Sequence, residues 1–195
     1  MGDWKPAYSS GRIFNVRLIF VRRDYFHPSS PYVKVFLREH AILWFRMNSD
    51  IEFMEQALEE ARAAAAAGEV PIGAVLVRHG SVVARSGNRT IRDCDPTAHA
   101  EVLVLREAAR VLRNYRLADT SLYATIEPCS MCAGAMIQAR IGRLVYGADD
   151  PKGGAVRTCF QILCDERLNH RVEVTSGVLA EDCAAAIQSF FAGRR

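Results

Sequence analysis

No run of apolar residues in this 195-residue sequence reaches the ~18 that a membrane-spanning helix needs. Nor does the sequence open on an apolar core followed by a small-residue cleavage site, the mark of a secretory leader. No internal repeat is visible. Large charge imbalance is also missing: 25 Lys and Arg face 22 Asp and Glu, a net of +3, which by itself says nothing about nucleic-acid binding. What remains is ordinary globular composition, 50% hydrophobic and 24% charged, in a chain long enough for one well-cored domain.

The modest charge is unevenly placed. Residues 1–46 hold eight basic and three acidic side chains, a net of +5, and ten of the 17 aromatics, including both tryptophans, Trp4 and Trp44. The other 149 residues hold 17 basic and 19 acidic groups, a net of −2. Within the first segment, residues 16–21 read as a short strand, 27–31 as a loop and 33–45 as a short helix. The organisation adopted is an N-terminal extension over 1–46 and one domain over 47–195. The extension reads as sequence upstream of a translation start at Met47, or as a stretch with no fold of its own. A basic, aromatic RNA-binding arm is the alternative, and an Arg-rich targeting sequence a third.

From Met47 onward the elements follow one another closely. Ser49-Asp50-Ile51-Glu52 has the S-x-x-E form of a capping box and predicts a helix over 50–67, closed by Gly68. Ile51, Met54, Leu58 and Ala61 share one face of it. Residues 72–78 and 81–85 are β-rich runs joined by the turn His79-Gly80. A loop over 87–95 carries Asn88, Arg89 and Arg92. Pro96 and Thr97 open a second helix, to about Leu112. Strands over 121–126, 143–148 and 172–175 alternate with helices opened by Pro128, over 159–166 and over 180–192. More than twenty residues separate the last two strands, enough for a parallel crossover. Five strands alternating with helices imply an α/β class, a three-layer α/β/α sandwich with a mixed five-stranded sheet.

The chemistry concentrates in two short stretches, Thr97-Ala98-His99-Ala100-Glu101 and Pro128-Cys129-Ser130-Met131-Cys132. Cys129 and Cys132 are spaced to place both sulfurs on one helical face. With His99 they make a soft-to-borderline set of three protein ligands, which suits Zn²⁺ and leaves the fourth tetrahedral position for water. Both motifs fall at predicted helix N-termini, where the dipole favours thiolate. Glu101 supplies a carboxylate that can move protons without binding the metal. A lone C-x-x-C is weak evidence, but H-A-E followed by P-C-x-x-C is the pattern of zinc nucleobase deaminases. His99 and Glu101 are two apart, so they converge only if His99 lies in the entry turn, with Thr97 or Asp95 as the cap. Six cysteines without a secretory leader read as a reduced cytosolic protein with a metal site. Cys94 reads as loop filler near His99, and Cys159, Cys164 and Cys183 as small hydrophobes or surface thiols.

The text around these motifs narrows the reading. Glu69-Val70-Pro71-Ile72-Gly73-Ala74-Val75, Asp95-Pro96-Thr97-Ala98-His99-Ala100-Glu101, Glu127-Pro128-Cys129 through Ile137, Arg140-Ile141-Gly142-Arg143 and Asn169-His170-Arg171-Val172 together resemble the bacterial TadA-type tRNA-specific adenosine deaminases, from about Met47 to the end. That family belongs to the cytidine deaminase-like superfamily and implies its fold. The resemblance implies one Zn²⁺ per chain on His99, Cys129 and Cys132, with Glu101 as catalytic proton shuttle. It implies hydrolytic deamination of adenosine to inosine at the wobble position of a tRNA anticodon stem-loop, an arginine tRNA first, by a cytoplasmic homodimer without a membrane partner. It also carries substrate-binding roles over to Asn88, for the target base, and Asp150, near the nucleotide backbone. Without the resemblance Asn88 reads equally as a turn residue and Asp150 as a solvated loop acid. Arg89, Arg92, Lys152, Arg194 and Arg195 read as surface charges that could meet phosphate, and His170 as structural or as part of an RNA groove.

Two other readings compete. The site could serve a free base or nucleoside, as in guanine or cytidine deaminases; the stretches around Asn88 and Asn114-Tyr115-Arg116-Leu117 argue for the tRNA enzymes instead. Or the chain could be a zinc-stabilised binding module, with Cys94 as the fourth ligand a structural site requires. Glu101 would then have no task.

Overall fold

The computed structural model describes residues 31–193, with side chains from residue 47 onward. The chain divides into two compact units, Met1–Ala41 and Ile42–Arg195. Of the first, the described part is the opening of a helix; the strand expected over 16–21 and the loop over 27–30 lie outside the described residues. The second unit carries the sheet.

Helix α1 runs unbroken from Pro31 to Ala66, 36 residues. This corrects the expected start at the Ser49 box: the helices read at 33–45 and 50–67 are one. The reason is local. Arg46-Met47-Asn48-Ser49 contains neither proline nor glycine, so nothing stops the first helix before the second begins. The end of α1 falls as expected. Gly68 takes a left-handed φ of +84°, and the Gly68 and Glu69 N–H groups turn back to the Ala65 and Ala64 carbonyls at 3.0 and 2.9 Å. The buried face also shifts. Met54, Leu58 and Ala61 pack inward with Phe53 and Ala57, whereas Ile51 is 39% exposed. Asp50 takes the inward place at that level of the helix, because Arg143 and Tyr123 offer it a partner each.

Strands β1 (Gly73–Arg78) and β2 (Ser81–Gly87) form an antiparallel hairpin. His79 and Gly80 both have positive φ, +51° and +75°, the pattern of the turn class that matches strand twist. Strands β3 (Thr120–Ile126), β4 (Arg143–Ala148) and β5 (Glu173–Ser176) complete a five-stranded sheet of order β2-β1-β3-β4-β5. β1 and β3 pair antiparallel, β3–β4 and β4–β5 parallel, so the sheet is mixed. The crossover before β5 is parallel as its length allowed, but the helix expected over 159–166 is a single 3-10 turn, Ile162–Cys164, pinned by buried Leu163.

Residues of β1 alternate between two cores, as a strand buried on both faces must. Val75 and Val77, with Tyr123 and Val145, meet α1 and α4 (Ala180–Ala192). Ala74 and Leu76, with Leu122, Leu144 and Tyr146, meet α2 (Ala100–Leu112) and α3 (Ser130–Ala139). Each of the fully buried leucines contributes roughly 2 kcal/mol by removal from water. Helices on both faces of one mixed sheet make the three-layer α/β/α sandwich of the cytidine deaminase-like fold. Among the described residues, no helix is long and apolar enough to cross a membrane.

Candidate active site

Two helix N-termini on the same face of the sheet build the site. α2 begins at Ala100, with His99 as its N-cap in extended backbone, φ −70° and ψ 147°. α3 begins at Ser130, with Cys129 as its N-cap, φ −70° and ψ 174°. Both start later than Pro96-Thr97 and Pro128 suggested, and neither Thr97 nor Asp95 is the cap. Asp95 instead closes a tight turn, its Oδ1 accepting both the N–H and the hydroxyl of Thr97 at 2.7 Å. The late start is what lets His99 and Glu101 cooperate. His99 leaves the chain from an extended residue, so the helical rule that separates positions two apart does not bind it.

Neither N-cap side chain makes a capping bond. Asn88, buried at the end of β2, does that for α2: its Oδ1 accepts the Ala100 N–H at 3.1 Å. The imidazole is thereby left for the site. His99 Nδ1 lies 3.7 Å from Cys129 Sγ and 3.6 Å from Cys132 Sγ. The three ligand atoms all lie within 4.8 Å of one another, close enough to share one metal ion. Cys94 is not in that group; it sits on an exposed loop at φ +49°, its thiol against the Ile91 carbonyl. A four-protein-ligand site has no fourth member here among the described residues.

The Cys129 pKa is pushed down to about 3, first by hydrogen bonding from Cys132, against burial, and then by His99. The Cys132 thiol is pushed up by its bond to Cys129 and by burial. The His99 pKa is raised by its bond to Cys129, against burial, with help from Glu101. A divalent ion bound there would displace the protons of its ligands. Burial raises the Glu101 carboxyl above the usual carboxylate range, and its Oε2 is fully buried with no hydrogen-bond partner among the described residues. A buried oxygen without a partner costs about 1–3 kcal/mol unless a ligand satisfies it. That atom and the donor set together fit a metal-plus-water site.

Two loops flank the group. Residues 88–97 lead into His99, and residues 150–158 lie against Cys129, where Gly154 bridges it antiparallel and the Ala155 N–H donates to the Pro128 carbonyl at 2.8 Å. Asp150 opens the second loop, its Oδ1 accepting the Lys152 N–H at 2.9 Å. The other predicted contacts are elsewhere engaged. Arg89 and Arg92 both pair with Asp93, and His170 holds the Ile141 carbonyl at 2.8 Å, a structural role. Arg194 and Arg195 lie outside the described residues.

Sequence reasoning assigned no role to two buried carboxylates. Glu69 accepts N–H bonds from Ile91 and Arg92 and the Thr90 hydroxyl. Glu127 accepts N–H bonds from Asp150, Val156, Arg157 and Thr158. The available signal was an acid set beside proline in apolar text, Glu69-Val70-Pro71 and Ile126-Glu127-Pro128.

Residues 48–195 match the family model of the MafB19-like deaminases. The chain is 48% identical over 151 residues to the tRNA-specific adenosine deaminase of Haemophilus influenzae, covering 77% of this chain and 87% of that protein. A solved structure from work on tRNA:A34 deaminases, which edit A to I at the wobble position, shares 51% identity and superposes with a TM-score of 0.68, covering 69% of this chain and 98% of that one. A guanine deaminase from Nitrosomonas europaea superposes at 0.63 with 27% identity, covering 73% and 84%.

Proposed function

We propose, from the premise that this chain belongs to the MafB19-like deaminase family and groups within it with the tRNA-specific adenosine deaminases, that it converts adenosine to inosine at the wobble position of a tRNA anticodon. The observation that carries the reaction class is the His99–Cys129–Cys132 group beside a buried, unpartnered Glu101 oxygen. The substrate is carried by identity: over the aligned residues, about half match the tRNA enzymes and 27% the guanine deaminase.

His99, Cys129 and Cys132 would hold one Zn²⁺, each through a single donor atom. Bound there, Zn²⁺ supplies the Lewis acidity that makes water a nucleophile near neutral pH. Glu101 does the proton work. It takes a proton as the water oxygen adds to C6 of adenine and passes it to N1, then takes the second from the C6 hydroxyl and delivers it to the amino group as the C6–N bond breaks. Ammonia leaves and the ring keeps the oxygen, which is inosine. Burial of Glu101 suits this, because a carboxyl held above the ordinary carboxylate range is a better proton acceptor than a solvated one. Asn88 Nδ2 would donate to the base while Oδ1 holds α2, and Asp150 would fix the nucleotide backbone. A single-stranded loop is the natural substrate, since its bases splay out at low cost.

The setting that goes with this activity is a cytoplasmic homodimer, with an arginine tRNA as the first substrate to try. The test is a side-by-side assay of purified protein on an anticodon stem-loop with wobble adenosine, free adenosine, free cytidine and guanine. Inosine should form in the stem-loop alone; equal or faster turnover of a free base or nucleoside would overturn the tRNA assignment.

A further inference from the structure

Glu127 is the most heavily bonded side chain near the site, yet the reaction does not use it. It stands between the end of β3 and Pro128-Cys129, 1% exposed. Its Oε1 accepts the N–H groups of Val156, Arg157 and Thr158 at 3.0, 2.7 and 3.0 Å, and its Oε2 that of Asp150 at 3.1 Å. All four donors belong to one loop, residues 150–158. The loop approaches so closely that a Cβ on Gly154 would stand 2.3 Å from Glu127 Oε2 and 2.4 Å from the Thr158 hydroxyl oxygen. Only glycine fits there. From this anchorage the loop pairs with Cys129 through Gly154 and with Pro128 through Ala155. Glu69 uses the same device on the other flank, binding the loop at residues 90–92 that precedes His99.

We propose that Glu127 is a positioning residue of the deaminase: its carboxylate fixes loop 150–158 beside Cys129 and so places Asp150 for the substrate backbone. All four donors are backbone N–H groups, so they fix the loop's path, with Asp150 half-buried at its start and Lys152 exposed. The loop touches Cys129 only through backbone, and the ligand side chains stand at the N-caps of α2 and α3 and on the first turn of α3, so the tether bears less on them than on Asp150. The tether therefore acts on substrate binding more than on the chemical step.

This inference rests on the tRNA deaminase reading, and wild-type conversion of the wobble stem-loop is the control that separates the two. Glu127→Gln keeps one acceptor but turns an amide donor toward N–H groups that need an oxygen. The measurements are zinc per chain, Tm, and kcat and KM on the stem-loop. Zinc is expected at the wild-type level, KM raised about tenfold, and kcat lowered much less, the pattern of a lost ground-state contact. A lowered Tm with kcat and KM unchanged would make Glu127 merely structural and overturn the proposal. Loss of zinc in step with activity would overturn it too, placing Glu127 at the metal instead. If Glu127→Gln does not fold, Gly154→Ala tests the tether from the loop side, since its Cβ must displace the loop from Glu127. The same KM effect supports the proposal, and a wild-type KM in the folded variant refutes it.

Discussion

Asn88 clasps Ala100: the side-chain oxygen of one accepts the first helical N–H of the other at 3.1 Å. The residue assigned to the target base is thus also the cap of the helix that presents His99. The two tasks would use opposite ends of one amide, of which the Oδ1 end holds Ala100. Asn88→Ala should lose both, at about 1 kcal/mol of stability for the cap and a larger loss in kcat/KM. Asn88→Asp keeps an acceptor at a helix N-terminus but no donor. It should unfold closer to wild type than the alanine variant and still deaminate poorly. Thermal melts paired with stem-loop kinetics check this; equal activity of the aspartate variant would remove the base-binding role.

Glu101→Gln should abolish inosine formation and leave about one zinc per chain, because three protein ligands complete the protein's share of a catalytic site. Cys129→Ala or Cys132→Ala should lose metal and activity together. Metal analysis of the purified variants decides it. Zinc loss in Glu101→Gln would make Glu101 a ligand or a fold element.

The His99, Cys129 and Cys132 group was legible in the sequence because it rests on residue type and short spacing, and the structure brings the three ligand atoms within 4.8 Å of one another. The sheet was legible for a similar reason, since strands β1 and β4 announce themselves as short apolar stretches bounded by turn residues. What stayed hidden depends on partners distant in sequence. Asp50 is buried because Tyr123 and Arg143, 73 and 93 residues away, reach it. Glu127 matters through a loop roughly thirty residues on. The capping box at Ser49 misled because a box marks a helix start only when the preceding residues are not already helical.

Asp50 and Arg143 form a buried bidentate pair, 2.7 and 2.8 Å, joined by the Tyr123 hydroxyl at 2.8 Å. Asp50→Ala should cost about 2–3 kcal/mol, since the largely buried guanidinium keeps only the exposed Glu173 carboxylate at 3.6 Å and the Thr175 hydroxyl at 2.8 Å. Adding Arg143→Met should recover part of that loss. Urea unfolding of the single and double variants measures it; strictly additive losses would show that the two do not act as a pair.

Burial pushes the Glu69 carboxyl up, but the N–H groups of Arg92 and Ile91 and the Thr90 hydroxyl outweigh it and hold the pKa below the ordinary value. A folded-state pKa below the unfolded one adds stability above the unfolded pKa, about 4.3, which is lost as pH falls through the folded value. The protein should therefore lose stability below about pH 4, and Glu69→Gln should flatten that limb of the curve. Unfolding free energies measured from pH 6 to pH 3 check it; an unchanged acid limb would mean other carboxylates set it.

The Ser49 box offers a test of the boundary proposed at Met47. In the full chain it lies inside α1, which starts at Pro31. In a chain beginning at Met47 the same four residues would meet a true helix start, where Ser49 can accept the Glu52 N–H and Glu52 can reach back. Ser49→Ala should therefore cost about 1 kcal/mol in the shortened chain and less in the full one. The shortened chain itself should keep its zinc and its deaminase activity, since the site residues and all five strands lie beyond residue 72. A steep fall in stem-loop affinity on shortening, greatest at low salt, would instead identify residues 1–46 as an RNA-binding arm carrying a net of +5. Paired melts of the four proteins and a salt series of binding curves separate these outcomes.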